Sequence, residues 1–378
     1  MSKRITSALI DISSYKHNLD LVKSLIAKDV KIMAVVKANA YGHGIEEVAR
    51  AASDWGVSYL GVVSVGELSR IRAVKINTPC LVLNFLDNDS IDEAISLDAS
   101  VAVMDSQSIA ALHDHASKAG KKIKIHIKVD TGMHRAGCEP DNLLSLSKKI
   151  VSSQFLVLEG IFTHFAESES SNKDFTMRQL SVLQSCLNQL TAEGIKPKFV
   201  HAANSAATIA YPASHFSMVR IGILSYGLSP FDETHNKSQY VSDNFRPVMS
   251  VKSKVIHIRQ LATGESVGYC RRWTASRPSI VALVPIGYGD GYRRAPYNAN
   301  YALINGHKVP VVGTVSMDQT VFDVTDAGRI TVGAEVVLLG EQKNESISAN
   351  DLAKDYQTIN YEVVAAFTDR IERKCIPN

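Results

Sequence analysis

The chain has 378 residues, 45% of them hydrophobic and 21% charged, a composition that excludes a low-complexity or collagen-like protein. Its 41 Lys and Arg residues nearly balance its 38 Asp and Glu residues, so the net charge of +3 gives no reason to expect a nucleic-acid or acidic-membrane partner. No apolar stretch has the length of a membrane span or the pattern of a signal peptide. The five cysteines lie far apart, so we expect a cytoplasmic protein with no disulfide framework and no metal site built from cysteine pairs.

Up to about residue 225, short β-branched runs alternate with segments of helical period. Gly56, Gly120 and Gly194 follow three of these helical segments, where a helix commonly ends. Eight strands, each followed by a helix, predict a (β/α)8 TIM barrel, because a doubly wound sheet usually has fewer strands. The predicted strands are 31–37, 58–63, 80–85, 100–104, 122–130, 155–164, 196–202 and 217–222.

After Pro230 the pattern changes to a polar, turn-rich segment, 231–247, which indicates a linker. The strands predicted beyond it are 248–261, 279–287, 307–318, 319–325 and 334–340, with one helix at 348–356. We therefore predict a barrel domain over 8–235 and a mostly antiparallel β domain over 236–378, with residues 1–7 as a candidate addition to the second domain.

Lys37 ends the first predicted strand, within VVKANAYGHG (35–44). An ammonium group directly after a buried apolar run must be paired or neutralised. Lys37 is therefore either a lysine that reaches the barrel rim or a desolvated amine that forms a Schiff base with a carbonyl compound. The glycines and polar side chains of the loop that follows favour the second interpretation.

Further polar side chains lie where predicted strands end, which is where TIM-barrel enzymes carry their function. They are His126, Lys128 and Asp130 on one face of the fifth strand, Arg135 in the loop that follows it, His164 at the end of the sixth strand, His201 at the end of the seventh with Asn204 and Ser205 beyond it, and Arg220 near the end of the eighth. Asn204 and Ser205 are good helix N-caps, but the loops after strands seven and eight also commonly bind phosphate. Arg220 is either ion-paired inside the barrel or directed at a ligand.

The β domain carries polar and aromatic clusters around Tyr269, Tyr288, Met317 and Tyr361. The glycine-rich run 285–294 is not a dinucleotide fingerprint, because no G-x-G-x-x-G opens a helix there. Met317 and Asp318 could equally form a plain turn, and Tyr361 alone fits an amphipathic strand.

Eight segments resemble, in order, the motifs of alanine racemase, over about residues 7 to 373. They are VVKANAYGHG, KVDTGMHRAG, THFAES, HAANSAAT, MVRIGI-SYG, GYGDGYRR, VSMDQT and INYEVV. The resemblance implies a barrel plus a β domain, a homodimer with shared active sites, pyridoxal 5′-phosphate as cofactor, and interconversion of L- and D-alanine, which supplies D-alanine for peptidoglycan.

The resemblance also implies the roles of individual residues. Lys37 carries the cofactor, Arg220 faces the pyridine nitrogen with His164 beside it, and Arg135 faces the phenolic oxygen. Lys128 resembles the lysine beside this arginine that is often carbamylated in the family. Ser205, Gly222, Ile223, Tyr41 and Tyr361 bind the phosphate, with Asn204 close to it. Lys37 and Tyr269 are the two catalytic bases, and Arg135, Tyr288, Met317 and Asp318 bind the substrate. Tyr269, Tyr288 and Met317 reach the site from the partner subunit.

The sequence departs from the family pattern at His134, at Cys270 to Arg272 and at Ser316, which leaves substrate breadth open. A racemase for serine or basic amino acids and a related decarboxylase are the alternatives within this fold type. Outside it, a metal-dependent hydrolase could use His126, His164, His201 and Asp130, although its usual H-x-H pair on the first strand is absent. A lone barrel that only carries pyridoxal phosphate is disfavoured by the large β domain.

Overall fold

The computed structural model describes residues 5–294 and 300–376. Its strands are β1 (Ser7–Asp11), β2 (Lys31–Val35), β3 (Tyr59–Val62), β4 (Cys80–Val82), β5 (Ala99–Val103), β6 (Ile123–Lys128), β7 (Leu156–Phe162), β8 (Phe199–His201), β9 (Met218–Ile221), β10 (Met249–Lys254), β11 (His257–Leu261), β12 (Ser266–Val267), β13 (Trp273–Thr274), β14 (Ser279–Val284), β15 (Tyr301–Ile304), β16 (His307–Pro310), β17 (Thr320–Asp323), β18 (Glu335–Gln342), β19 (Glu345–Ile347) and β20 (Glu372–Ile376).

The α-helices of right-handed geometry are α1 (Ile12–Leu25), α2 (Ile45–Trp55), α3 (Val65–Ala73), α4 (Ile91–Ser96), α5 (Ser106–Ala119), α6 (Leu143–Val151), α7 (Asp174–Ala192), α8 (Ser205–Ala210), α9 (Ser238–Asn244), α10 (Ala349–Asp355) and α11 (Asn360–Ala365). No helix in the described part of the chain combines the length and the apolarity that a membrane span requires.

The chain forms two compact units. The barrel unit consists of Ser14–Ala40 and Ile45–Arg246, and the β unit consists of Tyr41–Gly44 together with the described residues up to Ser13 and from Pro247 onward.

The barrel unit contains one sheet of eight parallel strands in the order β8-β7-β6-β5-β4-β3-β2-β9. Backbone bonds from Ser217 N to Val200 O (3.2 Å) and from Arg220 N to Ala203 O (2.9 Å) join the two ends of this order, so the sheet curls into a nearly closed barrel. The eight strands predicted from the sequence are confirmed. Seven of them are shorter than predicted, and the strand predicted at 100–104 keeps its length but lies one residue earlier, at Ala99–Val103.

Parallel strands of this kind are buried on both faces, which explains why the sequence shows apolar runs and not alternation. Every residue of β5 is buried, for example. Met33, Tyr59, Leu81, Phe199 and Met218, from five different strands, pack together inside the barrel. The helix α5 ends at Gly120, whose φ of 63° is the left-handed conformation expected of a C-terminal glycine.

The β unit contains a seven-stranded sheet in the order β16-β15-β18-β10-β1-β20, with β19 paired to β18, and two smaller sheets, β11-β14-β17 and β12-β13. All pairs are antiparallel except β1 with β20. The predicted strand 248–261 is in fact two strands in different sheets. It divides where Val255 N bonds to Ala334 O and Ile256 N bonds to Leu283 O, so the chain crosses from one sheet to the other between adjacent residues.

The limits of the compact units differ from the predicted domain limits 8–235 and 236–378. Strand β1 pairs with β10 and β20, so the chain up to Ser13 groups with the β unit; residues 1–4 of the predicted addition 1–7 lie outside the described residues. The predicted linker contains α9, and Arg246 beyond it exchanges two 2.8 Å hydrogen bonds with Asn18, which holds this segment to the barrel unit.

Candidate active site

Lys37 lies two residues after the end of β2 and directly before a left-handed turn. Ala38, Asn39, Ala40 and Tyr41 all have φ of 52° to 53°, a conformation that costs a residue with a side chain roughly 1–2 kcal/mol. Two contacts hold the turn: Ala38 N donates to Glu67 Oε1 (2.7 Å), and Asn39 Oδ1 accepts from Ile45 N (2.9 Å). Strain retained in this way is characteristic of functional sites, so the turn marks Lys37 as a residue whose position matters.

The Lys37 amine lies among cations. Burial lowers its pKa, and the charges of Arg135 and Arg220 lower it further against the opposing effect of the Glu67 carboxylate. Lys128 lies in the same field, where burial and the two arginines lower the pKa of its amine to about 8. Such a cluster favours a neutral, nucleophilic amine and attracts an anionic ligand.

Arg220 lies inside the barrel and is 5% exposed. Its Nη1 donates to His201 O (2.9 Å) and His201 Nδ1 (3.2 Å), and its Nη2 donates to Thr163 O (2.8 Å), Ala202 O (3.1 Å) and His164 Nδ1 (3.1 Å). Burial lowers its pKa only to about 10, so the guanidinium stays charged at neutral pH. Among the described residues no acceptor bonds its Nε–H, which leaves this donor for a ligand.

His164 accepts the bond from Arg220 on Nδ1, as the resemblance predicts. Burial and the charges of Arg220 and Arg135 hold its pKa well below the ordinary value. The ring is therefore a neutral acceptor beside a permanent donor.

The loops after β8 and β9 meet at Ser205. Its buried Oγ accepts from Gly222 N (3.1 Å) and Leu224 N (3.3 Å), which fixes the backbone at the start of the 3-10 turn Ile223–Tyr226. Only Asn204 is a helix cap, since its Oδ1 accepts from Ala207 N (2.9 Å); Ser205 is the first residue of α8. Two helical N-termini thus lie together, an arrangement suited to an anion.

A chain of polar side chains continues from Arg220 into the barrel. His201 Nε2 and His126 Nδ1 are 2.9 Å apart, and His126 Nε2 is 3.2 Å from Glu159 Oε2. The hydrolase interpretation assigned His126 and His201 to a metal, but both ring nitrogens of each bond to other side chains. In the described part of the chain, no three His, Cys, Asp or Glu side chains are grouped as metal ligands.

Gly160 makes room for this chain, because a Cβ there would lie 2.2 Å from His126 Nδ1. We predict that Gly160→Ala lowers the free energy of unfolding by about 1–3 kcal/mol, the usual cost of overpacking a core. Gly66→Ala is the matched control, since its Cβ would meet only Ser64 Oγ at 3.9 Å within a helix. Urea unfolding of both variants tests the prediction, and equal midpoints would contradict it.

The β unit holds Tyr41 and Tyr361 together, with ring centroids 6.1 Å apart. Tyr361 lies in α11, so the strand that its sequence suggested is wrong. Segment 41–44 packs closely on this helix: a Cβ at Gly42 would lie 2.1 Å from Val364 O, and Gly42 O accepts from Arg373 Nε (2.9 Å).

Two loops of the β unit bring Tyr288 and Met317 together. Tyr288 N donates to Ser316 O (3.0 Å) and Gly289 N to Met317 O (2.9 Å). Tyr288 and Met317 are 42% and 53% exposed, and Tyr269, which follows Gly268 on another loop, is 68% exposed. Asp318 forms an ion pair with Arg370, which also pairs with the buried Asp290 (3.3 Å), so the structure gives Asp318 a local structural contact.

This TIM barrel presents a lysine before a strained turn, two arginines near its amine, and helical N-termini suited to an anion, and it is joined in one chain to a β-sheet unit. Together these features define a class of barrel enzymes that act through a lysine amine. Comparison with known proteins identifies the family. The family models for the N-terminal and C-terminal domains of alanine racemase match residues 10–230 and 248–375.

Relatives and solved structures agree with this match. The chain is 38% identical to "Alanine racemase 2" of Caldanaerobacter subterraneus subsp. tengcongensis, over 98% of this chain and 94% of that one, and 37% identical to the alanine racemase of Methanococcus maripaludis, over 97% of each. Its fold matches the alanine racemase of Clostridium difficile 630 with a TM-score of 0.92 at 33% identity, over 100% of this chain and 97% of that one.

A third match is the alanine racemase of Bacillus anthracis with bound L-Ala-P, with a TM-score of 0.93 at 34% identity, over 100% of this chain and 96% of that one. The chain belongs to the alanine racemase family, and it is an isomerase that interconverts L- and D-alanine. The broader racemase and the decarboxylase that the sequence left open are not favoured.

Proposed function

We propose that this racemase uses pyridoxal 5′-phosphate, held by Lys37. The observation that carries the proposal is the Lys37 turn: a half-buried lysine with a lowered pKa follows a barrel strand, directly before the strained residues Ala38 to Tyr41, and near arginines that attract a phosphate. The unpaired Arg220 Nε–H suits the pyridine nitrogen, and Ser205, Gly222 and Ile223, with Asn204 nearby, suit the phosphate. Tyr41 and Tyr361 complete the phosphate site by resemblance to the family.

When bound, the cofactor withdraws electrons from Cα of the amino acid and so makes the Cα proton acidic. The Lys37 Nζ takes this proton from D-alanine on one face, and the Tyr269 oxygen takes it from L-alanine on the other. The group on the opposite face then donates a proton to Cα, so removal by one of the two groups and return by the other inverts the configuration. Arg220 would donate a hydrogen bond to the pyridine nitrogen of the cofactor. Because the guanidinium does not readily give up its proton, this nitrogen would stay unprotonated.

Arg135 and Lys128 complete the cationic side of the site. We assign Arg135 to the phenolic oxygen of the cofactor and to the substrate carboxylate. The lowered pKa of Lys128 supports carbamylation, because the reaction with carbon dioxide needs a neutral amine. A carbamate would place a negative charge beside Arg135 and fix its guanidinium.

The protein acts as a homodimer in which Tyr269, Tyr288 and Met317, with Asp318, reach the partner's barrel. Their high exposure in a single chain supports this assignment, because large side chains of this type commonly become buried at interfaces. The free thiols of Cys80, Cys138 and Cys186 suit a cytoplasmic protein, and its D-alanine serves peptidoglycan synthesis.

Borohydride reduction tests the role of Lys37. We expect the purified holoenzyme to lose its visible absorbance on reduction and to retain a pyridoxyl group on Lys37, which peptide mapping by mass spectrometry locates. Lys37→Arg is the control, because it keeps the charge but provides no primary amine. A label on Lys128, or a label on Lys37→Arg equal to that of the wild type, would refute the assignment.

A further inference from the structure

A carboxylate lies at the inner end of the polar chain that begins at Arg220. Glu159 Oε2 accepts from Tyr59 OH (2.6 Å) and Ser100 Oγ (2.9 Å) and lies 3.2 Å from His126 Nε2. Burial alone would raise its pKa, but the hydrogen bonds from His126 and Tyr59 outweigh burial and hold the pKa at about 2. Glu159 is therefore ionised at any ordinary pH.

The backbone is built to point this carboxylate inward. In the pairing of β6 with β7, Leu158 lies opposite Ile125 and Gly160 lies opposite His126, so Glu159 is an extra residue with no partner. Such a bulge is rare between parallel strands, and bulges re-aim side chains next to functional sites. The next residue is Gly160, whose missing Cβ leaves the space that the His126 ring fills.

The donors and acceptors along the chain allow one arrangement. Arg220 can only donate, so His201 Nδ1 must accept and the proton of His201 must lie on Nε2. That proton is donated to His126 Nδ1, so the proton of His126 lies on Nε2 and is donated to Glu159. Burial lowers the pKa of both rings, which keeps both histidines neutral and makes their tautomers the only variable.

We propose that Glu159 is a positioning residue for racemisation. Through His126 it fixes the tautomer of His201, so that His201 Nδ1 accepts from Arg220 Nη1. This hydrogen bond in turn fixes the direction of the Arg220 Nε–H. Without the carboxylate, the His126 and His201 rings can exchange tautomers. A proton on His201 Nδ1 would then lie opposite the Arg220 Nη1–H, and two donors cannot form a hydrogen bond. Arg220 would then have to shift. This role rests on the assignment of Arg220 to the pyridine nitrogen.

Glu159 is also the anion that balances Arg220. No carboxylate among the described residues pairs directly with the buried guanidinium. The carboxylate that its hydrogen-bond chain reaches is that of Glu159, beyond the rings of His201 and His126. A carboxylate in direct contact would consume donors that Arg220 uses to reach its backbone acceptors. Placing the charge at a distance leaves Nε–H for the cofactor.

Three variants test the proposal. Glu159→Leu removes the acceptor, Glu159→Gln keeps an oxygen acceptor, and Tyr59→Phe, the matched control, removes another hydrogen bond to the same oxygen while keeping the ring packed against Phe199. The first readout is the ring nitrogens of labelled histidines, observed by 15N NMR in the apoprotein and assigned with single histidine variants. The second is alanine racemisation by the holoenzyme.

We expect neutral Nε2–H tautomers for His126 and His201 in the wild type and in Tyr59→Phe, and mixed tautomers in Glu159→Leu. In Glu159→Leu we expect kcat to fall about tenfold, as when an outer partner of an active-site group is lost, while KM for alanine changes less than about twofold. Glu159→Gln should recover most of kcat and the single tautomers.

An Nδ1–H tautomer of His201 in the wild type would overturn the proposal, whether or not the leucine variant folds. So would a folded Glu159→Leu protein whose tautomers and kcat equal those of Tyr59→Phe. Because the tautomers are measured without cofactor, this outcome is distinct from a failure of the cofactor assignment, which borohydride labelling tests separately.

Discussion

Replacing Tyr269 with phenylalanine is expected to suppress the exchange of the Cα proton of L-alanine with solvent deuterium by about 10²–10⁴-fold, the usual contribution of a general base. Exchange of D-alanine should be affected much less. The reason is that a racemase with two bases assigns each enantiomer to one of them, and the Lys37 amine serves D-alanine independently of Tyr269. A phenyl ring keeps the bulk of the side chain and removes only the oxygen that carries the proton.

The measurement is the decay of the Cα signal of each enantiomer in D2O by 1H NMR, at conversions too low for the product to return. Tyr240→Phe is the control, because Tyr240 is also a partly exposed tyrosine but packs beside Phe245 in the barrel unit. Equal suppression of both enantiomers by Tyr269→Phe would indicate a single base that serves both faces.

The sequence predicts the barrel well because its signal is local. Each of the eight strands is an apolar run between helical segments, and strands such as β5, buried along their whole length, cannot be confused with alternating surface strands. Lys37 and Arg220 are also local signals, since a charged residue that ends an apolar run has few structural explanations.

Features that depend on distant residues are not predictable in the same way. The division of 248–261 into two strands depends on Ala334 and Leu283, and the α11 helix that contains Tyr361 has the strand-like sequence INYEVV. Tertiary context overrides local preference in both places.

Glu159 shows the same limitation at the site itself. In LVLEGIF it looks like one polar residue of a strand, and only the pairing with β6 shows that it is the bulged residue that points into the barrel. The glycine that follows it was the available signal, because glycine within a strand often marks a bulge or a close approach. The left-handed conformation of Ala38 to Tyr41 had no such signal in the sequence, because none of these four residues is the glycine that such a conformation usually requires.

The final prediction concerns where each active site is built. Lys37 lies in the barrel unit and Tyr269 in the β unit, on a loop where it is 68% exposed. We expect Lys37→Ala and Tyr269→Ala each to abolish racemisation. If Tyr269 acts on the partner's barrel, a heterodimer of the two variants has one site with both lesions and one with neither.

Mixed subunits of the two inactive variants should therefore regain activity. Random pairing makes about half of the dimers hetero, each with one intact site of two, so activity returns to roughly a quarter of the wild-type value. A second mixture provides the matched control: wild type with the double variant Lys37→Ala and Tyr269→Ala. Its heterodimers have no intact site if sites are shared, so an equal mixture retains roughly a quarter of full activity, but roughly half if each site lies within one chain.

Native mass spectrometry establishes that heterodimers form in both mixtures, and chiral chromatography measures the alanine product. If active sites are shared, the first mixture regains activity and the second retains a quarter of full activity, not half. The reason is that the heterodimer of the first mixture carries both substitutions in one site, whereas the heterodimer of the second carries one substitution in each site. No recovery in the first mixture and half activity in the second would show that each active site is built within a single chain. The exposure of Tyr269, Tyr288 and Met317 would then need another explanation than a partner's active site.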